Sequence, residues 1–154
     1  MMDILSNQVL LNGKDIWLEY HVFLREEKEG AQENLSALLA PGKMKEHVAV
    51  DFREEDGEKY SDELTQKTQA RDITLHFAIM ADNKTQFLAR YAQFVKVIKK
   101  GDKGWLMWNF PALGLEMRTF CIDFTPFEAL TNLWVEDAHC GAFRATFKEP
   151  KPSF

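Results

Sequence analysis

The sequence predicts an α+β chain that is mainly β: an antiparallel β-sandwich or partly closed barrel, with one amphipathic helix over about residues 83–100 packed against it. Three observations lead there. Short apolar–polar alternations recur along the chain, bounded by Gly, Pro, Asn or Asp. One stretch between two of them keeps helical spacing instead. The 154 residues are 45% hydrophobic and 28% charged, with twelve Phe and four Trp against five Pro and eight Gly, which describes an aromatic core rather than disorder. The length fits one domain, 1–154, able to build a core without metal or disulfide staples.

The elements follow in order. Val9–Leu11 leads into Asn12-Gly13, a hairpin signal because both residues tolerate positive φ. Residues 16–24 alternate, with Leu18, Tyr20, Val22 and Leu24 opposite Trp17, Glu19, His21 and Phe23, and read as a strand covered on both sides. A charged loop spans 25–34, and Leu35–Ala40 makes one helical turn closed by Pro41-Gly42. His47–Arg53 reads as a strand with Val48, Val50 and Phe52 facing inward. A second polar segment, 54–70, has no apolar period; Asp56-Gly57 near its start can make it an extended hairpin projecting from the body.

Asp72–Met80 is the cleanest strand, with Ile73, Leu75, Phe77 and Ile79 on one face. Asn83 and Gln86 have capping-box spacing, and Phe87, Leu88, Tyr91, Phe94, Val95 and Ile98 form a helical stripe. Lys99 and Lys100 suit the negative end of that helix and Gly101 its stop. Gly104–Phe110 is a Trp-rich strand, and Glu116–Thr125 alternates again until Pro126. Phe127–Val135 fits a short helix or a strand. Cys140–Lys148 is the last strand, with Phe143 and Phe147 on one side, and the tail 149–154 is loose.

Charge and cysteine content narrow the function classes. A net charge of −5 and a pI near 5.4 disfavour phosphate binding by the whole surface. Cys121 and Cys140 read as reduced thiols of a cytosolic product, with a disulfide between neighbouring strands as the alternative. The first residues lack the basic and apolar regions of a signal peptide, no apolar run is long enough to cross a membrane as a helix, and no lipidation pattern occurs.

No catalytic, metal-ligating or cofactor-binding residue is assigned. The nucleophile-elbow, P-loop and dinucleotide glycine patterns are missing. His21, His47, His76 and His139 lack zinc-site spacing, and the adjacent His139-Cys140 pair points to opposite faces of a strand. Trp105 and Trp108 differ in parity, so they do not make one stacking row. The remaining feature is charge polarity. Glu54, Glu55, Asp56, Glu58, Asp62 and Glu63 crowd one loop, while Lys84, Arg90 and Lys96 lie on a helix with no acidic residue between Lys84 and Lys100. Opposite fields of this kind steer copies of a chain into head-to-tail register, which makes these nine residues candidate subunit-interface residues.

From Arg71 to Phe127 the order of pieces is familiar: ARDITLHFAIMADNKTQFLARYAQFVKVIKKG, then a strand pair ending RTFCIDFTPFEAL. This resembles the tail-tube and distal-tail (baseplate) proteins of long-tailed phages and prophages, over about a third of the chain; LLNGKDIWLEYHVFL fits more loosely. The resemblance implies a β-sandwich or barrel flanked by one helix and a non-enzymatic virion structural protein. It implies self-association into rings, usually hexameric, around a channel in which DNA is only passing cargo. Other tail proteins would be its partners, and it would lie in the virion tail after a time in the host cytoplasm. The 54–70 segment would reach the neighbouring ring, and the polar loops would order on assembly. At this length no room remains for the second, carbohydrate-module-like domain of many distal-tail proteins. The alternative reading is a small ligand-binding β-barrel module using Trp17, Trp105 or Trp108 in an aromatic mouth.

Overall fold

The computed structural model describes residues 6–26, 32–135 and 137–154, so part of the expected 25–34 loop lies outside the described residues. In chain order the elements are β1 (Leu10–Leu11), β2 (Lys14–Asp15), α1 (Ile16–Tyr20), β3 (Val22–Leu24), α2 (Glu33–Leu39), β4 (Arg71–Ala81), α3 (Lys84–Lys100), β5 (Leu106–Phe110), β6 (Leu115–Phe124), β7 (Glu128–Ala129) and β8 (His139–Glu149). The strands form one antiparallel sheet in the order β2-β1-β5-β6-β8-β4-β3, with β7 also on β8. It is an α+β fold, mainly β, and a partly closed barrel. The chain runs from one end strand, β2, through α1 to the other, β3.

β4 and β8 form the spine, paired from Arg71↔Glu149 to Ala81↔His139. β6 bends the sheet. Its first half pairs with β5, Leu106↔Thr119 through Phe110↔Leu115. Its second half pairs with β8, with a register shift between Cys121 and Asp123. A bulge of this sort turns a strand from one sheet into the next. After Pro126, β7 continues along the same edge of β8.

The core lies inside this curve. Phe77 of β4 meets the rings of Phe94, Trp108, Phe143 and Phe147 at centroid distances of 5.5–6.3 Å. The expected inner face of β4 is confirmed: Ile73, Leu75, Phe77 and Ile79 are all buried. Trp108 donates its indole N–H to Thr119 Oγ1 at 3.0 Å, which satisfies the one polar atom of the largest buried side chain.

α3 forms where the sequence places it. Asn83 accepts from the Gln86 amide at 2.8 Å, and Gln86 Oε1 accepts from the Asp82 amide at 3.1 Å. Phe87, Phe94 and Ile98 are buried. Leu88 lies outside the buried stripe, and Val97 packs against the core instead. The helix stops at Gly101, whose φ of 54° and close approach to the Trp105 backbone exclude a side chain.

Three expectations are corrected. Residues 16–24 are not one strand. Asp15 caps α1 by accepting from the Trp17 amide, and His21, at φ 55°, ends it in the left-handed region before β3. Ile16 and Tyr20 are buried one turn apart, whereas Leu18, assigned to the same face as Tyr20, is exposed. His47–Arg53 is not a core strand either: Val48 is 90% exposed, and Val50 and Phe52 are also exposed. The tail is held rather than loose, because Glu149 ends β8 and accepts from Ser153 N at 2.8 Å and Ser153 Oγ at 2.9 Å.

Candidate subunit interface

The six acidic candidates share one structure, an arm running from Lys43 to Gln69. Its root is closed by hydrogen bonds from Gln69 N to Lys43 O (2.6 Å) and from Lys45 N to Lys67 O (2.8 Å). Further out, Val50 and Lys59 exchange both backbone bonds, at 2.9 and 2.7 Å, around a turn containing Asp56-Gly57. This is the projecting hairpin the sequence allowed, with a root further back than residue 54. Nearly every residue on it is exposed, including Met44, Val48, Val50, Phe52, Tyr60 and Leu64.

The arm is pinned by local contacts. Lys59 Nζ lies 2.8 Å from Glu55 and 5.2 Å from the Phe52 ring centre. Tyr60 donates its hydroxyl to Glu58 at 2.7 Å, and that bond to a carboxylate raises the phenol pKa.

The three basic candidates do not share a surface. An α-helix turns about 100° per residue, so positions 84, 90 and 96 sit about 120° apart around α3. Arg90 donates Nη1 to the Met80 carbonyl at 3.0 Å and so caps the end of β4. Lys84 lies on the first turn. Only Lys96 joins a cationic cluster, with Lys99 and Lys100, at the spacing that brings side chains together on one helix face. These lysines rim a shallow groove of about 590 Å³ that Tyr91, Ala92 and Val95 line with mainly apolar surface.

The three tryptophans of the ligand-mouth alternative lie in different places. Trp108 is in the core. Trp105 lies under the Arg118 guanidinium, 3.8 Å from its ring centre, and meets Phe120 edge to face. Trp17 lines a cleft of about 470 Å³ with His21, Met80, Arg90, Thr131 and His139. His139 is buried and organises the loop above that cleft: Nε2 donates to the Val135 carbonyl at 2.8 Å, and Nδ1 faces Thr131 Oγ1 at 2.8 Å. Among the described residues, no group of three or more His, Cys, Asp or Glu is placed to hold a metal, and no helix is long and apolar enough to cross a membrane.

No family model and no curated protein matches the chain. Its fold is like that of one solved phage protein. The structure is similar to the crystal structure of the SPP1 Dit (gp 19.1) protein, described as a paradigm of the hub adsorption apparatus in Gram-positive-infecting phages. The TM-score is 0.59 at 11% identity, over 94% of this chain and 50% of that one. The chain therefore spans half the length of the Dit structure. At this identity the likeness is one of fold, and it agrees with the expected architecture of strand, helix and strand pair.

Sequence reasoning missed two parts of these surfaces. Val48, Val50 and Phe52 read as a core face, and Lys99 and Lys100 count among five basic positions of the helix without being singled out as a cluster with Lys96. The i, i+3, i+4 spacing of Lys96, Lys99 and Lys100 was the available signal for the second.

Proposed function

We propose that this chain is a structural component of a phage or prophage tail, of the hub, distal-tail, baseplate or tail-tube kind, that self-associates into rings and carries out no reaction. The observation that carries this reading is the likeness to Dit, which extends over 94% of the chain and so involves the whole architecture rather than one motif. The arm supports it. Val48, Val50 and Phe52 stand exposed on a segment outside the core, and clustered apolar exposure of this kind marks an interaction surface. The net charge of −5 supports it too, since an acidic wall lets DNA pass where a basic one would hold it. The virion tail is then its place and other tail proteins its neighbours, with assembly from the host cytoplasm.

The test is light scattering of the purified chain over a concentration series, with negative-stain imaging at the upper end. Closed rings, or stacks of them, growing in with concentration are the expected result. A monomer at every concentration contradicts the proposal.

A further inference from the structure

We propose that in such a ring the arm of one copy seats across the α3 groove of the next copy, burying Val48, Val50 and Phe52 and setting its carboxylates against Lys96, Lys99 and Lys100. This rests on the ring reading above and names the surfaces that make the ring.

Two complementarities on one molecule point to a second copy as the occupant. The first is charge. Residues 46–64 of the arm hold eight carboxylates against two cations, Arg53 and Lys59, and Lys59 is engaged by Glu55 and Phe52 of the same arm. α3 has five cations and no carboxylate from Lys84 to Lys100, and three of the five rim the groove. Facing fields of opposite sign speed encounter and fix register. The second is chemical character. The groove floor is apolar, supplied by Tyr91, Ala92 and Val95. Nucleic acid would use the lysines but leave that floor uncovered, whereas the arm brings both aliphatic and aromatic side chains and carboxylates.

Arm and groove are different surfaces, so their contact is heterologous. Repeated around a rotation that closes, a heterologous contact makes a ring rather than an isolated two-fold dimer.

Charge reversal tests this. Glu54→Lys, Asp56→Lys, Asp62→Lys and Glu63→Lys together leave residues 46–64 with six cations against four carboxylates, which reverses the arm and leaves the Lys59–Glu55 pair intact. Lys96→Glu with Lys100→Glu reverses the groove. All six side chains are exposed, so the folded protomer is expected to survive, as far-UV circular dichroism will show. In sedimentation velocity the arm variant and the groove variant are each expected to weaken self-association at least about tenfold, the factor given by about 1.4 kcal/mol. The combined variant, with arm and groove both reversed, is expected to recover assembly, and so is a mixture of the arm variant and the groove variant. Wild-type assembly that neither variant weakens overturns the arm-in-groove seat while leaving the ring reading standing. So does loss of assembly that the combined variant does not restore, which would point to another partner for the groove. A wild-type chain that stays monomeric throughout overturns the ring reading beneath it.

Discussion

Arg71 and Glu149 meet on the first rung of the β4–β8 ladder, 2.7 Å apart and both almost fully buried. The guanidinium also donates to the carbonyls of Leu38 and Ala40, at 2.9 and 2.5 Å, and lies over the Phe154 ring. One side chain thus ties together the end of α2, the chain entering and leaving the arm, and the tail. The sequence shows Arg71 only as the start of a strand, because its partner is 78 positions away. Glu149→Ala leaves a buried cation without its anion, and we expect a loss of about 3–5 kcal/mol in urea unfolding at unchanged slope. A loss below about 1 kcal/mol would show the pair to be incidental. Thr119→Val removes the acceptor of the Trp108 indole and should cost about 1–3 kcal/mol by the same measurement; an unchanged midpoint would mean that the indole N–H finds another acceptor. The thiols give a pH dependence. Burial raises both Cys121 and Cys140 above the ordinary value of 9.0. The unfolded chain therefore loses these protons first, so their contribution is complete below pH 9.0 and is lost as pH rises through the higher folded values. Thermal midpoints from about pH 8 to about pH 11 should fall above pH 9, and less steeply in the Cys121→Ser/Cys140→Ser variant; identical slopes would remove the thiols from the explanation. Their rungs on β8, opposite Phe147 and at Cys140 itself, are about 23 Å apart along the strand, too far for a disulfide within one chain.

At the scale of elements, legibility followed how completely one face of a segment is buried by the protomer itself. β4 was readable because its inner face is apolar from Ile73 to Ala81 and wholly covered. α3 was readable because a cap, a stripe and a stop agree. Residues 16–24 misled because a nine-residue mixture of apolar and polar side chains satisfies period 2 and period 3.6 alike. The deciding features, the Asp15 cap and the left-handed His21, are single-residue effects. His47–Arg53 misled for another reason: an alternating apolar pattern does not say what covers it, and within the protomer these side chains are exposed. The arm should consequently be dispensable for folding. Its root is already closed between Lys45 and Lys67, so replacing residues 46–66 with a short Gly-Asn turn should leave the thermal midpoint within about 4 °C. A larger fall would show that the arm packs on the body.

For the whole molecule, the sequence supplied fold class, helix position and charge polarity, while the closing details came from tertiary structure. β6 passes from β5 to β8, with a register shift along β8 that no local pattern announces. The polarity is real but rearranged: the acidic side chains gather on one arm, while only the last turn and a half of α3 presents a basic cluster beside an apolar floor. A protomer built this way carries a projecting acidic arm with exposed apolar side chains and a lysine-rimmed apolar groove on one body, which is what the proposed head-to-tail assembly requires. Native mass spectrometry of the full-length chain beside the arm-shortened variant tests that claim most directly. The account predicts a closed oligomer of defined copy number for the full-length chain and only monomer for the shortened one. Equal assembly of both proteins, or of neither, would contradict it.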